Sequence, residues 1–346
     1  MGVREPEQNY TGLDCLKILL AILVTDLHLS PLADICPDIA YILNISIDRI
    51  AVPTFFLISG FLFGVRNGGK ITWGGAKKFV KRSFSLYVCW TIVYSPLIVM
   101  DLVANSKYEG LSVLMRIVIF IRRFFLMSSW TPLWFFLAGA YGMLLCYYLS
   151  RLINNTWILL LASFLFMNIF TIFGDCYFPL GRILRENNMM IDVAVSIFPK
   201  VFGTILMGAT WATFYYILGI YLSSINRKVL CWIICLLISL FFLGLEVCLC
   251  KILGATVFSR MNSIIFVAIS LVMIFSKVQI KNVIFCKYLR RIATLLYGFH
   301  CFYPGFIHIH NHFLLWIADI LLSFLSATLI IILSEKTKRK IFYCLG

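Results

Sequence analysis

Residues 13–31, LDCLKILLAILVTDLHLSP, contain the apolar run Ile18–Val24 expected of a membrane-crossing helix, yet Asp14, Lys17, Thr25, Asp26 and His28 lie in or beside it. Ionisable groups at membrane depth are costly, so they face a cavity or a partner inside the protein. Two expectations follow: a helical membrane protein, and a first span whose polar face marks its chemistry.

At 100° per residue, Lys17 and His28 fall on one face of that helix, about 16 Å apart along its axis. Asp14 lies one turn below Lys17, and Thr25 one turn below His28, on the same stripe. Such a stripe serves either interhelical hydrogen bonding or proton transfer, since imidazole is suited to taking a proton from a hydroxyl near neutral pH. Asp26 points elsewhere on a regular helix, and Asp14 is about 21 Å from His28. A carboxylate partner for His28 must come from another segment.

The rest of the chain agrees with a membrane class. It is 62% hydrophobic and 13% charged over 346 residues, too little charge to cover a soluble domain of this size. Apolar runs of about 20 residues recur. They are placed at about 12–29, 48–65, 83–104, 131–150, 157–174, 203–224, 229–250, 262–276, 292–309 and 313–334, about ten spans. The fold class is thus all-α, a polytopic transmembrane bundle forming one domain over 1–346. Lys and Arg total 30 against 15 Asp and Glu, but they cluster between the runs, which points to membrane orientation and not to nucleic-acid binding.

Positive-inside orientation puts both termini in the cytoplasm, together with the basic loop from Arg66 to Arg82 and the cluster at 277–291. Residues 116–129 carry Arg122 and Arg123 mid-run and read as an outer interfacial helix with snorkelling arginines. Residues 175–200 read as a long external polar connection. The N-terminal residues do not form a secretory leader, so the first span is expected to be retained. Twelve scattered cysteines without a CxxC pair give neither a zinc site nor a disulfide framework. In HIHNH (308–312), His308 and His312 form a metal pair if helical, but no third ligand is evident; histidines on an outer turn are the better reading, and no metal is expected.

The opening stretch resembles the signature of the acyltransferase 3 family of integral membrane acyltransferases, in which Arg or Lys is followed after ten residues by His. Here the pair is Lys17 and His28. DRIAVPTFFLISGFLFG (48–64) is similar to the family's R-x-x-V-P-x-F-F-x-x-S-G segment, PLWFFLAGAYGMLLCYYL (132–149, with Trp134) to its L-W-F/Y-L span, and LYGFHCFYP (296–304) to its Tyr-x-x-His span. The blocks occur in family order over nearly the whole chain, like the short stand-alone members. The membrane part of vancomycin-resistance-type serine/alanine racemases has similar blocks, including H-x-S-P-L at 28–32. The family's R-x-x-R pair is replaced by Lys78-x-x-Lys81 followed by Arg82; charge is kept, but bidentate guanidinium geometry is not.

The resemblance implies an O-acyltransferase of the cell membrane, an O-acetyltransferase foremost. It would use cytoplasmic acetyl-CoA or another acyl-CoA as co-substrate and a hydroxyl of a cell-surface or lipid-linked glycan as acceptor. His28 is then the general base, with Tyr297 and His300 as further active-site candidates or as a pair that ties helices together. Lys17, Lys78, Lys81 and Arg82 are donor-binding candidates for the CoA phosphates. Pro53, Ser59 and Gly60 serve packing or line an acyl tunnel, while Arg49 pairs with a carboxylate, meets an anionic acceptor or anchors the interface. A transporter or flippase of a small polar solute is the rival reading; against it, the chain shows no internal repeat.

Overall fold

The structure, a computed structural model, describes residues 10–279 and 283–337, with the backbone alone for 283–287. The described residues form fifteen α-helices and no strand: α1 (Thr11–Leu29), α2 (Pro37–Ile45), α3 (Ala51–Arg66), α4 (Trp73–Val93), α5 (Ser95–Ala104), α6 (Val113–Leu126), α7 (Trp134–Leu152), α8 (Thr156–Gly174), α9 (Phe178–Glu186), α10 (Met189–Phe202), α11 (Ile205–Leu222), α12 (Val229–Ile252), α13 (Ser263–Phe275), α14 (Val283–Phe299) and α15 (His312–Thr337). Short polar side chains start several of them. Thr72, Ser112, Asn155 and Asn188 accept first-turn N–H groups of α4, α6, α8 and α10.

Six segments are long and apolar enough to cross a membrane, or seven if the α4–α5 pair, bent by 60°, is one span. The bend falls where Pro96 opens α5. Other expected spans become helices that do not meet the same standard. Asp14, Lys17 and Asp26 interrupt α1, α13 has only 13 residues, and α14 has 17 and carries Arg290 and Arg291. Residues 1–9 and 338–346, on which the expectation for the two termini turns, lie outside the described residues.

Three segments differ from expectation. The basic stretch expected as a loop is helical from Trp73 onward, with Lys78, Lys81 and Arg82 exposed on α4. Residues 175–200 fold largely into α9 and α10. Helix α14 ends at Phe299, followed by a 3₁₀ turn at Tyr303–Gly305. Helix α6 has no buried residue, and its arginines are engaged. Arg123 pairs with Asp101 at 2.7 Å, and Arg122 donates to the Lys200 carbonyl at 2.6 Å.

Helix α11 is buried along almost its whole length and packs against α3 and α7. Between apolar helices in lipid, close packing, and not water exclusion, drives association, and small residues permit it. A Cβ on Gly60 would stand 2.6 Å from the Tyr216 carbonyl oxygen, one on Gly219 2.5 Å from that of Leu57, and one on Gly142 2.6 Å from Ala212 Cβ. These three positions join α3, α11 and α7 into one seam. Ser59 returns its hydroxyl to the Phe55 carbonyl at 2.9 Å, and Pro53 is buried in the first turn of α3.

Candidate active site

The last turn of α1 is held in place from outside. Ser30 adopts a left-handed conformation (φ 46°) that ends the helix, and Asn44 Nδ2 donates to the Leu27 carbonyl at 2.9 Å. The same Asn44 accepts from Arg49: Nε reaches its backbone oxygen at 2.9 Å and Nη2 its Oδ1 at 3.1 Å. Arg49 Nη1 donates to Ser259 Oγ at 3.3 Å. One side chain therefore fixes His28 and Arg49 relative to each other.

His28 and Arg49 open onto a cavity of about 290 Å³, which Trp134, Trp211, Arg260 and Tyr297 also line. The two indoles are nearly parallel, with ring centroids 6.0 Å apart. The Arg260 guanidinium lies over the Trp211 ring at 5.5 Å and its Nε is 3.8 Å from Asp175 Oδ2. Burial pulls the Arg260 pKa down while Asp175 and Cys176 pull it back; a guanidinium stays charged here. Asp175 Oδ1 accepts the backbone N–H groups of Ser259 and Arg260 at 2.7 and 3.1 Å, so this buried carboxylate shapes the α12–α13 connection.

Helix α14 brings the late histidine to the same place. The His28 and His300 rings are 5.1 Å apart, and Tyr297 is 5.1 Å from His300. The Tyr297 hydroxyl donates to the Pro132 carbonyl at 3.0 Å, and His300 Nδ1 faces the backbone oxygen of Tyr297, not its phenol. Among the described residues, no carboxylate is hydrogen-bonded to His28. Asp26 instead receives the indole N–H of Trp316, and His312 Nδ1 meets the Leu29 carbonyl at 2.8 Å. Asp48 lines the cavity as well as a second one of about 210 Å³ that Asp26 lines.

At the other end of α1, Asp14 is buried and accepts from two cations. Lys17 Nζ lies 3.1 Å from Oδ1, and Arg290 donates from Nε to Oδ1 at 3.1 Å and from Nη2 to Oδ2 at 2.9 Å. Lys17 feels the charges of Arg290 and Arg66, as does Arg82. Lys17 and Arg82 thus belong to one basic end, and Lys78 and Lys81 stand exposed on α4, which carries Arg82.

Asp48, Arg260, Asp175, Trp211 and Arg290 went unnoticed as site residues in the sequence. Arg290 lies in the basic cluster at 277–291 and Asp48 opens the block 48–64, but neither stood out there as a site residue. Helix packing brings the others together from segments with no shared motif.

The profile of a family described as an acyltransferase domain matches residues 10–335. An amino-acid racemase of Enterococcus faecalis is 26% identical over 224 residues, 64% of this chain and 29% of that protein. A serine/alanine racemase of Enterococcus gallinarum is 27% identical over 89 residues, 25% of this chain and 13% of that protein. The chain thus spans under a third of the length of these relatives. No solved structure matches it. The match runs over nearly the whole chain: the chain belongs to the acyltransferase 3 family.

Proposed function

We propose that the protein is an O-acyltransferase, an acetyltransferase foremost, that moves the acyl group of an acyl-CoA to a hydroxyl of a cell-surface or lipid-linked glycan. The observation that carries this reading is the His28 imidazole open to a cavity bordered by two parallel indoles and two guanidinium groups. Indole faces stack on sugar rings, and arginine forks hold hydroxyl, carboxylate or phosphate oxygens. The cavity accordingly takes the acceptor. The basic end around Lys17, Lys78, Lys81 and Arg82 takes the CoA phosphates. With the positive-inside rule this end faces the cytoplasm of a cell-membrane protein and the cavity faces outward.

His28 takes the acceptor's hydroxyl proton as that oxygen attacks the thioester carbonyl. The C–S bond breaks, the ester forms, and CoA leaves as a thiol after reprotonation. Arg49 and Arg260 border the cavity and place positive charge near the developing oxyanion. Tyr297, bound to Pro132, holds the wall of the site. The test is incubation of the purified protein with labelled acetyl-CoA and a panel of surface glycans. Label on a glycan supports the reading. Solute uptake into proteoliposomes with no label transfer would replace it with a transporter.

A further inference from the structure

We propose that His28, His300 and Cys301 form a binding site for a soft divalent cation of the zinc class, and that the bound ion switches off the proton transfer assigned to His28. The second half rests on the function proposed above; the binding site does not.

One ring nitrogen from each histidine and Cys301 Sγ lie within 4.8 Å of one another. Zinc bonds of about 2.0–2.1 Å to nitrogen and about 2.3 Å to sulfur separate tetrahedral ligands by about 3.3–3.6 Å. Side-chain rotations closing about an ångström bring the three into range. Two imidazoles on one such ion stand about 5 Å apart by the same bond lengths, and the rings of His28 and His300 are 5.1 Å apart with planes tilted by 41°.

The state of His300 supplies a second, independent reason. Its Nδ1 faces the Tyr297 carbonyl, which only accepts, so Nδ1 carries the proton and Nε2 keeps its lone pair. Nε2 is buried without a hydrogen-bond partner among the described residues, and His300 is 1% exposed. A buried polar atom left unpaired is costly. An imidazole anchored through one nitrogen to a carbonyl, with the other nitrogen free, is the arrangement that orients metal-bound histidines. Cys301 adds a soft ligand, and His28, on the cavity, leaves a fourth position for water. The charge of Arg49 opposes a cation here, but three of its five N–H donors hold it to Asn44 and Ser259, and Asp48 lines the same wall. An ion on His28 uses the lone pair that accepts the hydroxyl proton, so base and ligand roles exclude each other.

Titration of the purified full chain with cobalt(II) reads the site directly. One saturable equivalent with near-ultraviolet thiolate-to-cobalt absorption is expected. Cys301→Ser should abolish that absorption, and His300→Gln should weaken binding at least about a hundredfold, the upper end of what loss of an outer partner costs in metal sites. Absence of saturable binding, or binding unchanged in both correctly folded variants, overturns the site. Zinc should inhibit acyl transfer by the wild type. Cys301→Ser should retain basal transfer and need at least about tenfold more zinc for the same inhibition; equal sensitivity overturns the switch. Cobalt binding decides the site independently of acyl transfer, so the two proposals fail separately.

Discussion

Arg290 grips Asp14 with two nitrogens, Nε at 3.1 Å from Oδ1 and Nη2 at 2.9 Å from Oδ2, across 276 positions of sequence. Asp14 pairs with both Lys17 and Arg290. Removing one partner of a buried ion pair costs about 3–5 kcal/mol, and the partial exposure of Arg290 puts this case at the low end. Asp14→Ala should therefore lower the thermal midpoint in detergent clearly more than Lys17→Ala, which leaves the Asp14–Arg290 pair intact. Equal midpoints for the two variants would rule out this division of roles.

At the cavity, His28→Ala should reduce acyl transfer by about a hundredfold or more without loss of folding. His28→Gln keeps hydrogen bonding and much of the size but cannot take a proton near neutral pH. Both variants should be equally inactive while binding acyl-CoA normally. Near-wild-type transfer by His28→Gln would make His28 a packing residue.

The exposed charges on α4 make a separate forecast. The triple change of Lys78, Lys81 and Arg82 to Ala should raise KM for acyl-CoA, since each exposed contact contributes about 0.2–1 kcal/mol. Added salt should raise the wild-type KM as well, because exposed charges are screened. A KM insensitive to both treatments would confine these residues to membrane orientation.

Asp319 tests the cost of an unpaired group. It is 1% exposed on α15, and neither carboxylate oxygen has a hydrogen-bond partner among the described residues. An ionisable group inside a spanning helix is costly unless it is paired. Asp319→Asn removes the acid and keeps its shape, so its thermal midpoint should equal or exceed that of the wild type. A fall of several degrees would mean that the acid holds a stabilising partner.

How far the sequence reaches follows from range. Helices α8, α11, α12 and α15 are apolar runs closed by polar or glycine-containing turns, and their ends fall within a few residues of expectation. In helices α9 and α10 polar or charged residues recur every few positions (Arg182 and Arg185; Asp192, Ser196 and Lys200), so a reading tuned to continuous runs misses them. Lys17 and His28 are readable from their spacing on α1, because helical geometry converts sequence separation into position. Arg260 beside Asp175, Arg290 on Asp14, and Cys301 near His28 depend on packing between distant segments. No local rule supplies those distances.

Helices α1 and α14 touch through charged or polar groups near both ends, by Asp14 with Arg290 and by His28 with His300. Between those points they run side by side, while Gly60, Gly142 and Gly219 lock α3, α7 and α11 into a block on which α1 packs through α3. The pair therefore acts as a lever with a handle at each end. Sliding α14 along α1 by one residue, about 1.5 Å, displaces the ion pair and the imidazoles in the same stroke, so neither end can be repositioned without the other registering it.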